Sequence, residues 1–426
     1  MSTLLRLATA GSVDDGKSTL VGRLLHDSKS VLVDQLDAVE RVSRGRGLDT
    51  ADLALLTDGL RAEREQGITI DVAYRYFATA RRSFVLADCP GHVQYTRNTV
   101  TGSSTADALV LLVDARRGVL EQTRRHLAVA ALMRVPHVVI AVNKIDLVDH
   151  SEEVFRSVAD AVQAIATELG VADARAVPVS ALRGDNVVDR SARTPWYDGP
   201  PLLELLEELP VAAAPAHEPF RMPVQLVIRP QGAARDAEHV EYRGYAGQLA
   251  SGTVRLGDEV VVLPSGLRTT VAGIDLGERS LQVAVAPQSV TLRLADDVDV
   301  SRGDLVCSAA APVVLRQDVQ ALVCWLGDEP LRPGARLLVK HGSRTVLAVA
   351  RSVDGALDLD TLRLKRAEEL ALNDIGRVSL RFASALPVED YSLSRSGGAF
   401  LLIDPDDGRT LAACMGDAPA PGEHRP

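Results

Sequence analysis

The stretch GSVDDGKS, residues 11–18, constrains the fold of this chain more than any other feature. It satisfies the pattern G-x-x-x-x-G-K-S and lies between an apolar strand-like run, LLRLATA, and a helix-like run. In a strand–loop–helix arrangement, backbone N–H groups surround an anion at the positive end of a helix dipole. Lys17 is then expected at the β- and γ-phosphates of a nucleotide, and the Ser18 hydroxyl at Mg²⁺. The motif therefore predicts a P-loop domain that binds a nucleoside triphosphate.

Strand-like and helix-like runs alternate through residues 1–209. ALVLLVD and HVVIAVN are nearly continuous apolar runs, which are typical of parallel strands covered on both faces. The run EEVFRSVADAVQAIATEL carries Val154, Val158, Val162 and Ile165 at helical spacing. This alternation predicts a doubly wound α/β domain with a mostly parallel sheet.

The pattern changes after residue 209. Residues 210–219, PVAAAPAHEP, are rich in Pro and Ala and predict a linker. Beyond them, short β-rich runs such as EVVVLP and SVTLRLA recur between Gly and Asp turns. They predict two all-β barrel domains, residues 220–310 and 311–417, followed by a disordered tail at residues 418–426.

Composition narrows the classes of function. The net charge is −10 and aromatic residues make up only 4% of the chain, which disfavours a nucleic-acid surface or attraction to anionic lipid. No apolar run approaches the length of a membrane span, and the N-terminal run lacks the pattern of a signal peptide. The four cysteines are far apart in the sequence and form no CxxC pair, which is typical of a reducing compartment. We expect a cytoplasmic protein that binds neither nucleic acid nor membrane.

The sequence NKID at residues 143–146 follows an apolar strand and predicts the base. A carboxylate at Asp146 can accept both the ring N–H and the exocyclic amine of guanine. Adenine has no donors at those two positions and would leave the carboxylate unpaired, which is costly in a dry pocket. The stretch SAL, residues 180–182, follows the next strand and offers a backbone N–H near the guanine carbonyl. Together with the phosphate loop, these residues predict GTP.

The sequence DCPGH, residues 88–92, ends another strand-like run and predicts a sensor of the γ-phosphate. Asp88 is expected to hold Mg²⁺ through a water molecule. Gly91 offers a backbone N–H that can approach the γ-phosphate closely, and His92 is expected to orient the attacking water. Upstream, Thr69 in EREQGITID is expected to be a second hydroxyl ligand of Mg²⁺, after a polar loop at about residues 43–67 that orders around GTP.

The predicted site contains three sets of residues. The nucleotide-binding set is Gly11, Ser12, Val13, Asp14, Asp15, Gly16, Lys17, Ser18, Thr19, Asp88, Cys89, Pro90, Gly91, His92, Asn143, Lys144, Ile145, Asp146, Ser180, Ala181 and Leu182. The catalytic set is His92, Lys17, Thr69 and Gly91, and the Mg²⁺ ligands are Ser18, Thr69 and Asp88.

These elements together resemble the translation-factor class of GTPases, of which elongation factor Tu is a member. That class combines GxVDxGKS/T, GITI, DCPGH or DTPGH, and NKxD with two following β-barrels. The resemblance places Val13 and Ile68 at an apolar gate around the catalytic histidine. Longer stretches, such as RGYAGQLASGTVRLGDEV and the run from Gln94 to Asp107, closely resemble the GTPase large subunit of bacterial sulfate adenylyltransferase (ATP sulfurylase). This closer resemblance spans residues 5 to about 416.

The resemblance implies an assembly. The large subunit of that family hydrolyses GTP and couples it to a separate small subunit, which forms adenosine 5′-phosphosulfate and pyrophosphate from ATP and sulfate. No second phosphate-loop motif follows residue 200, so we expect adenylyl transfer to occur on that partner. Two residues beside the switch depart from the family pattern: Val93 replaces Glu, and Cys89 replaces Thr. His239 lies among acidic residues, where we expect a solvated loop rather than a metal site.

Two other interpretations remain open at this point. One is an elongation-factor-like GTPase that delivers aminoacyl-tRNA; the mildly acidic average charge of residues 218–426 disfavours it. The other is a specialised GTP-dependent switch with a different partner, which Val93 motivates.

Overall fold

The computed structural model describes residues 3–28, 37, 39, 41–43, 53–56, 72–92, 95–211, 216–230 and 240–417. The chain divides into two compact units, Met1–Val211 with Asp358–Arg363, and Ala212–Leu357 with Leu364–Pro426. The predicted tail at residues 418–426 and part of the predicted linker lie outside the described residues. Within the described part, no helix is long and apolar enough to cross a membrane.

The first unit contains a six-stranded sheet with the order β2-β3-β1-β4-β5-β6. All neighbouring strands are parallel except β2, which is antiparallel to β3. The strands are β1 (Thr3–Gly11), β2 (Ala73–Ala78), β3 (Arg82–Asp88), β4 (Ala108–Asp114), β5 (His137–Asn143) and β6 (Asp173–Pro178). All seven residues of β4 are buried, which explains why its sequence is apolar throughout and ends in a single carboxylate. The predicted mostly parallel sheet is confirmed.

Helices and short 3-10 turns connect these strands. The helices are α1 (Lys17–Asp27), α2 (Thr96–Ser104), α3 (Glu121–Leu132), α4 (Glu152–Glu168) and α5 (Leu202–Glu208), with 3-10 turns at Leu53–Leu56 and Ile145–Val148. Helix α1 packs against β1 and β3, α3 against β1 and β4, and α4 against β5 and β6. In α4, the buried residues Val158, Val162 and Ile165 form the apolar stripe that the sequence predicts, and the Ser151 hydroxyl caps the first turn. The carboxyl ends of the parallel strands therefore meet the starts of these helices at one edge of the sheet.

The second unit begins with an antiparallel sheet around one apolar core. Its strand order is β7-β16-β11-β12-β15-β9-β8, with β13 paired to β12 and a separate β10–β14 pair. The strands are β7 (Arg221–Pro223), β8 (Leu226–Ile228), β9 (Gly244–Gln248), β10 (Thr253–Arg255), β11 (Glu259–Leu263), β12 (Leu267–Leu276), β13 (Arg279–Leu281), β14 (Val283–Val285), β15 (Ser289–Leu294) and β16 (Leu305–Ser308). The run MPVQLVI, expected to be strand-like throughout, is divided between β7 and β8.

The remaining strands form a second antiparallel sheet in the same unit. They are β17 (Arg316–Trp325), β18 (Arg336–His341), β19 (Arg344–Asp358), β20 (Arg363–Lys365), β21 (Ile375–Leu386), β22 (Ala399–Ile403) and β23 (Thr410–Asp417), with a short helix α6 (Arg395–Gly398). The order is β18-β22-β23-β17-β21-β19, and β18 also pairs with β19, so these six strands close into a barrel. The predicted fold class, a P-loop α/β domain followed by two all-β domains, is confirmed.

Candidate nucleotide-binding site

The phosphate loop connects β1 to α1. β1 ends at Gly11, α1 begins at Lys17, and Gly16 precedes the helix with φ 93°, in the left-handed region that favours glycine. The Lys17 ammonium donates hydrogen bonds to the carbonyl oxygens of Gly11 and Ser12, each at 2.8 Å. Lys17 is only 8% exposed, so its cation lies inside the loop rather than in solvent. The loop thus carries a buried positive charge where a phosphate is expected.

Electrostatics at this loop favour an anionic ligand. Burial lowers the pKa of Lys17, and the nearby carboxylates of Asp88 and Asp15 offset only part of that effect. Burial also raises the pKa of Asp15, against a hydrogen bond from the Ser12 N–H. The Ser12 hydroxyl and one Asp15 oxygen are buried and have no hydrogen-bond partner within the described part of the chain. A phosphate would stabilise the Lys17 cation and offer acceptors to the unpaired hydroxyl.

The segment DCPGH lies directly beside Lys17. The parallel pairing of β1 with β3 sets Thr9 opposite Asp88, and the Thr9 hydroxyl donates to the Asp88 carboxylate at 2.8 Å. A Cβ atom at Gly91 would lie 2.2 Å from the Lys17 ammonium nitrogen and 2.5 Å from the Gly11 carbonyl oxygen. Only a residue without a side chain fits at this distance. The structure therefore brings the predicted γ-phosphate sensor and the phosphate loop together.

His92 and Cys89 have different environments. His92 is exposed, and its ring centroid lies 6.1 Å from that of Tyr95. Cys89 is fully buried, and burial raises the pKa of its thiol well above the ordinary value, so a reactive thiolate is disfavoured. A Cβ atom at Gly102 in α2 would lie 2.3 Å from the Cys89 sulfur. The Cys89 side chain thus packs against α2, and only its backbone is available to a nucleotide.

Asn143 links two loops that the sequence treats separately. Its side-chain amide donates to the Asp15 carbonyl at 2.7 Å, and its side-chain oxygen accepts from the Ala181 N–H at 3.0 Å. In this structure the Ala181 N–H, expected near the guanine carbonyl, is therefore bonded to Asn143. A Cβ atom at Gly16 would lie 2.5 Å from the Asn143 amide nitrogen, which adds a second reason for glycine at that position. Residue 143 acts here as a connector between the phosphate loop and the SAL segment.

The remaining residues that are predicted to read the base lie at the same edge of the sheet. Lys144 has φ 61°, and the residues after it form the 3-10 turn that carries Asp146. Asp146 is half-buried, so part of its surface is open to solvent. Leu182 is 58% exposed although it is a large apolar residue. An open acceptor and an exposed apolar surface are what a purine base requires.

Two residues that support the predicted nucleotide site lie outside its sequence motifs. Arg23 of α1 donates to the carbonyl oxygens of Ala181 and Leu182, at 3.1 and 2.6 Å, and so holds the SAL segment against the helix that starts at the phosphate loop. His126 of α3 is buried beside Lys17 and the Gly11 carbonyl, yet neither ring nitrogen has a hydrogen bond of normal geometry within the described residues. Burial, reinforced by Lys17, lowers the pKa of His126 to about 3. No sequence motif marks either residue.

The residues present fit a magnesium ion. Ser18 is half-buried at the start of α1, and Asp88 is 2% exposed at the end of the neighbouring strand. No group of three or more His, Cys, Asp or Glu side chains in the described residues could hold a metal. Mg²⁺ takes most of its ligands at nucleotide sites from phosphates and water, so one hydroxyl and one carboxylate suit it. Thr69, the third predicted ligand, lies outside the described residues, as do Ile68, Val93, His239 and most of the predicted switch loop.

The fold and the site define a GTPase of the class that includes elongation factor Tu. A family model described as the elongation factor Tu GTP binding domain matches residues 2–212, and one described as GTP-eEF1A C-terminal domain-like matches residues 318–416. Among solved structures, sup35 complexed with GDP is 24% identical and covers 98% of this chain and 94% of its own, with a TM-score of 0.43.

Curated relatives narrow the family. Sulfate adenylyltransferase subunit 1 of Saccharophagus degradans is 46% identical over 414 residues, which cover 97% of this chain and 86% of that protein. The protein of the same name from Methylorubrum populi is 48% identical over 411 residues, covering 96% and 86%. The bifunctional enzyme CysN/CysC of Mycobacterium tuberculosis is 53% identical over 417 residues, covering 97% of this chain and 67% of that enzyme. The chain belongs to the sulfate adenylyltransferase subunit 1 family.

Proposed function

We propose that this chain hydrolyses GTP with Mg²⁺ and couples hydrolysis to the formation of adenosine 5′-phosphosulfate and pyrophosphate from ATP and sulfate on a separate catalytic subunit. The observation that carries the proposal is the approach of Gly91 to Lys17, at the edge of the sheet to which Asn143 ties the base-reading loops. The names of the relatives support the sulfate reaction and imply a second subunit. The four cysteines are all buried, which supports a cytoplasmic location.

Phosphate binding is the first function that we assign. The Lys17 ammonium, which now donates to two loop carbonyls, would turn to the β- and γ-phosphates, because an anion is a stronger acceptor for a cation than a neutral carbonyl. The Ser12 hydroxyl, unpaired within the described residues, would gain an acceptor. Ser18, Asp88 through a water, and Thr69 would hold Mg²⁺, which when bound neutralises developing charge on the phosphate oxygens.

Base recognition is the second function that we assign. The open carboxylate of Asp146 would accept two hydrogen bonds from guanine, with the Lys144 stem and exposed Leu182 covering the ring. Hydrolysis of GTP is the third function that we assign. The exposed His92 ring would turn toward the γ-phosphate and orient water, while the Gly91 N–H would bond the γ-phosphate. Loss of that phosphate would release the DCPGH segment and α2, whose Gly102 packs on Cys89.

The coupling of GTP hydrolysis to adenylyl transfer has a thermodynamic reason. Adenylyl transfer from ATP to sulfate is strongly uphill, so a second hydrolysis can drive it through a cycle of subunit conformations. In this proposal the partner subunit binds ATP. The nucleotide-responsive segments, residues 44–67 and 93–105, are the contact surfaces that this mechanism favours. We also propose that residues 209, 220, 310 and 417 mark the boundaries of the GTP-binding domain and the two β-barrel domains.

The test is pyrophosphate release from ATP and sulfate by this chain mixed with the small subunit from the same organism. We expect a large stimulation by GTP that is lost in Lys17→Ala. Lys340→Ala is the matched control, because Lys340 is exposed on β18 of the other unit. Tight GTP binding without stimulation of a folded, active small subunit would contradict coupling and favour a specialised switch with another partner.

A further inference from the structure

We propose that Asp114 is a positioning residue for guanine recognition, which clamps the Lys144 ammonium onto the phosphate loop. The inference rests on the proposed guanine site and adds a residue that no sequence motif assigns to it. Asp114 is the last residue of β4 and pairs in register with Asn143, the last residue of β5. It is 1% exposed, so its negative charge is almost wholly removed from water.

Both carboxylate oxygens of Asp114 are occupied by donors. Oδ1 accepts from the Arg116 N–H at 2.9 Å and from Arg116 Nε at 3.0 Å. Oδ2 accepts from Arg116 Nη2 at 2.7 Å and from Lys144 Nζ at 2.9 Å. A carboxylate has about four lone-pair sites, so this one is saturated. It joins the turn after β4 to the NKID segment after β5.

Lys144 transmits this attachment to the phosphate loop. Its ammonium also donates to the Asp14 carbonyl oxygen, while its backbone holds the left-handed conformation that leads into the turn of Asp146. One cation thus links β4, the NKID segment and the phosphate loop. If Asp114 released it, the Lys144 side chain and the turn that places Asp146 would lose a fixed anchor on the sheet.

The charges indicate that the clamp persists at neutral pH. Burial would raise the pKa of Asp114, but the hydrogen bonds from Arg116 and Lys144 outweigh burial and hold that pKa well below its ordinary value. Arg116 also lies within the electrostatic reach of Asp146, the proposed guanine acceptor. Removing the Asp114 charge would leave two cations without their shared anion, beside that acceptor.

A simpler role for Asp114 is to cap the turn that follows β4. The two roles use different oxygens. The cap needs Oδ1, which accepts the Arg116 N–H, whereas among the described residues Oδ2 bonds only to the two cations. Asp114→Asn can keep the oxygen at the cap, but it places an amide that donates hydrogen bonds opposite the two cationic donors. This substitution therefore separates the clamp from the cap.

The test measures the affinities of the full chain for GDP, GTP and inosine diphosphate, which lacks the exocyclic amine of guanine. In Asp114→Asn we expect the affinities for GDP and GTP to fall by a similar factor, about tenfold or more, because both nucleotides share the base. We also expect the preference for GDP over inosine diphosphate to shrink severalfold. A purely structural loss would weaken all nucleotides alike and leave that preference unchanged.

Asp173→Asn is the matched control. Asp173 also bonds an arginine and a second side chain, Arg175 and His137, but it lies at the start of β6, at the opposite ends of the strands. We expect its nucleotide affinities to stay within about twofold of wild type, since charge-pair losses away from the site act on stability alone. Arg116→Gln leaves the Lys144 arm intact, and we expect it to keep most of the preference for guanine.

The outcomes separate this inference from the proposed function. If wild type prefers GDP and Asp114→Asn keeps both the affinity and the preference, the clamp is wrong while the guanine site stands. If wild type shows no preference for GDP, the proposed base recognition fails first. If Arg116→Gln lost as much of the preference for GDP as Asp114→Asn does, Lys144 would not be the group through which Asp114 acts. Should Asp114→Asn not fold, Asp114→Glu displaces the charge while keeping it, and an unchanged preference there would overturn the clamp.

Discussion

Gly91 and Lys17 are separated by 74 positions in sequence, yet a Cβ atom at Gly91 would lie 2.2 Å from the Lys17 ammonium nitrogen. The contact exists because β3 lies beside β1 in the sheet, so that DCPGH and the phosphate loop leave adjacent strands at the same edge. Any movement of Lys17 toward a phosphate therefore changes the surroundings of Gly91. This relationship is the physical basis of the proposed sensing of the nucleotide by the DCPGH segment.

We expect Gly91→Ala to weaken GTP binding by more than about tenfold. The new methyl group would displace both the flexible Lys17 side chain and the rigid Gly11 carbonyl, at 2.2 and 2.5 Å. Equilibrium titration with a fluorescent GTP analogue measures the effect. Lys340→Ala is the control, because Lys340 is exposed and lies in the other unit. Equal affinities of the Gly91→Ala and wild-type proteins would show that the loop relaxes without cost.

Asp146→Asn should shift base preference from guanine toward xanthine nucleotides. The carboxylate accepts from two guanine donors, whereas the asparagine amide can donate to the extra carbonyl of xanthine. Competition between GDP and xanthosine diphosphate measures the change, with Asp149→Asn, an exposed residue at the end of the same turn, as the control. A GDP preference that survives in Asp146→Asn would show that another group reads the base.

We expect His92→Ala to slow GTP hydrolysis by about a hundredfold or more while GTP affinity changes little, as is typical for loss of a residue that orients or activates the attacking water. The His92 ring is exposed, so its removal leaves no cavity in the core. Single-turnover hydrolysis and equilibrium binding, measured on the same preparation, distinguish the two effects. A loss of affinity equal to the loss of rate would assign the ring to binding.

Gly102→Ala should destabilise the first unit, although alanine normally favours a helix over glycine by about 1 kcal/mol. The reason is overpacking, because the added Cβ would lie 2.3 Å from the Cys89 sulfur, and such crowding costs about 1–3 kcal/mol. Cys89→Ala removes that sulfur and should restore much of the loss. Urea unfolding of the two single variants and the double variant gives the coupling energy, and additive effects would show that the two side chains do not compete for space.

The buried His126 predicts an acid-sensitive stability. Its folded-state pKa is lowered, to about 3, below the unfolded value of about 6.5. The folded chain thus favours the neutral His126 ring. The contribution of this ring to the free energy of unfolding is fully present above about pH 6.5 and is lost as the pH decreases toward about 3. Between pH 7.5 and 5.0 the loss would reach about 2 kcal/mol.

Urea unfolding of wild type and His126→Gln at both pH values measures this term, with His217→Gln at an exposed position as the control. We expect a flatter pH dependence for His126→Gln alone. Parallel pH dependences in all three proteins would show that the His126 ring is protonated or solvated in the folded chain.

Much of the architecture follows from local patterns. The apolar runs ALVLLVD and HVVIAVN coincide with β4 and β5, and the helix pattern at 152–169 coincides with α4 to within one residue, because period and burial are local properties. Local patterns predict the ends of a strand less well where strand pairing sets them. MPVQLVI divides into β7 and β8, which pair with different neighbours.

The sequence by itself determined the fold class and the family, and it predicted the phosphate, switch and base-reading motifs, because each motif is a short run with its own chemistry. Only the tertiary structure decided how the motifs are held together. The bonds of Asn143 to Asp15 and Ala181, the Asp114–Lys144 pair and the burial of His126 join residues far apart in the chain. Such contacts depend on which strands are neighbours and on their register, and neither is written in a local pattern.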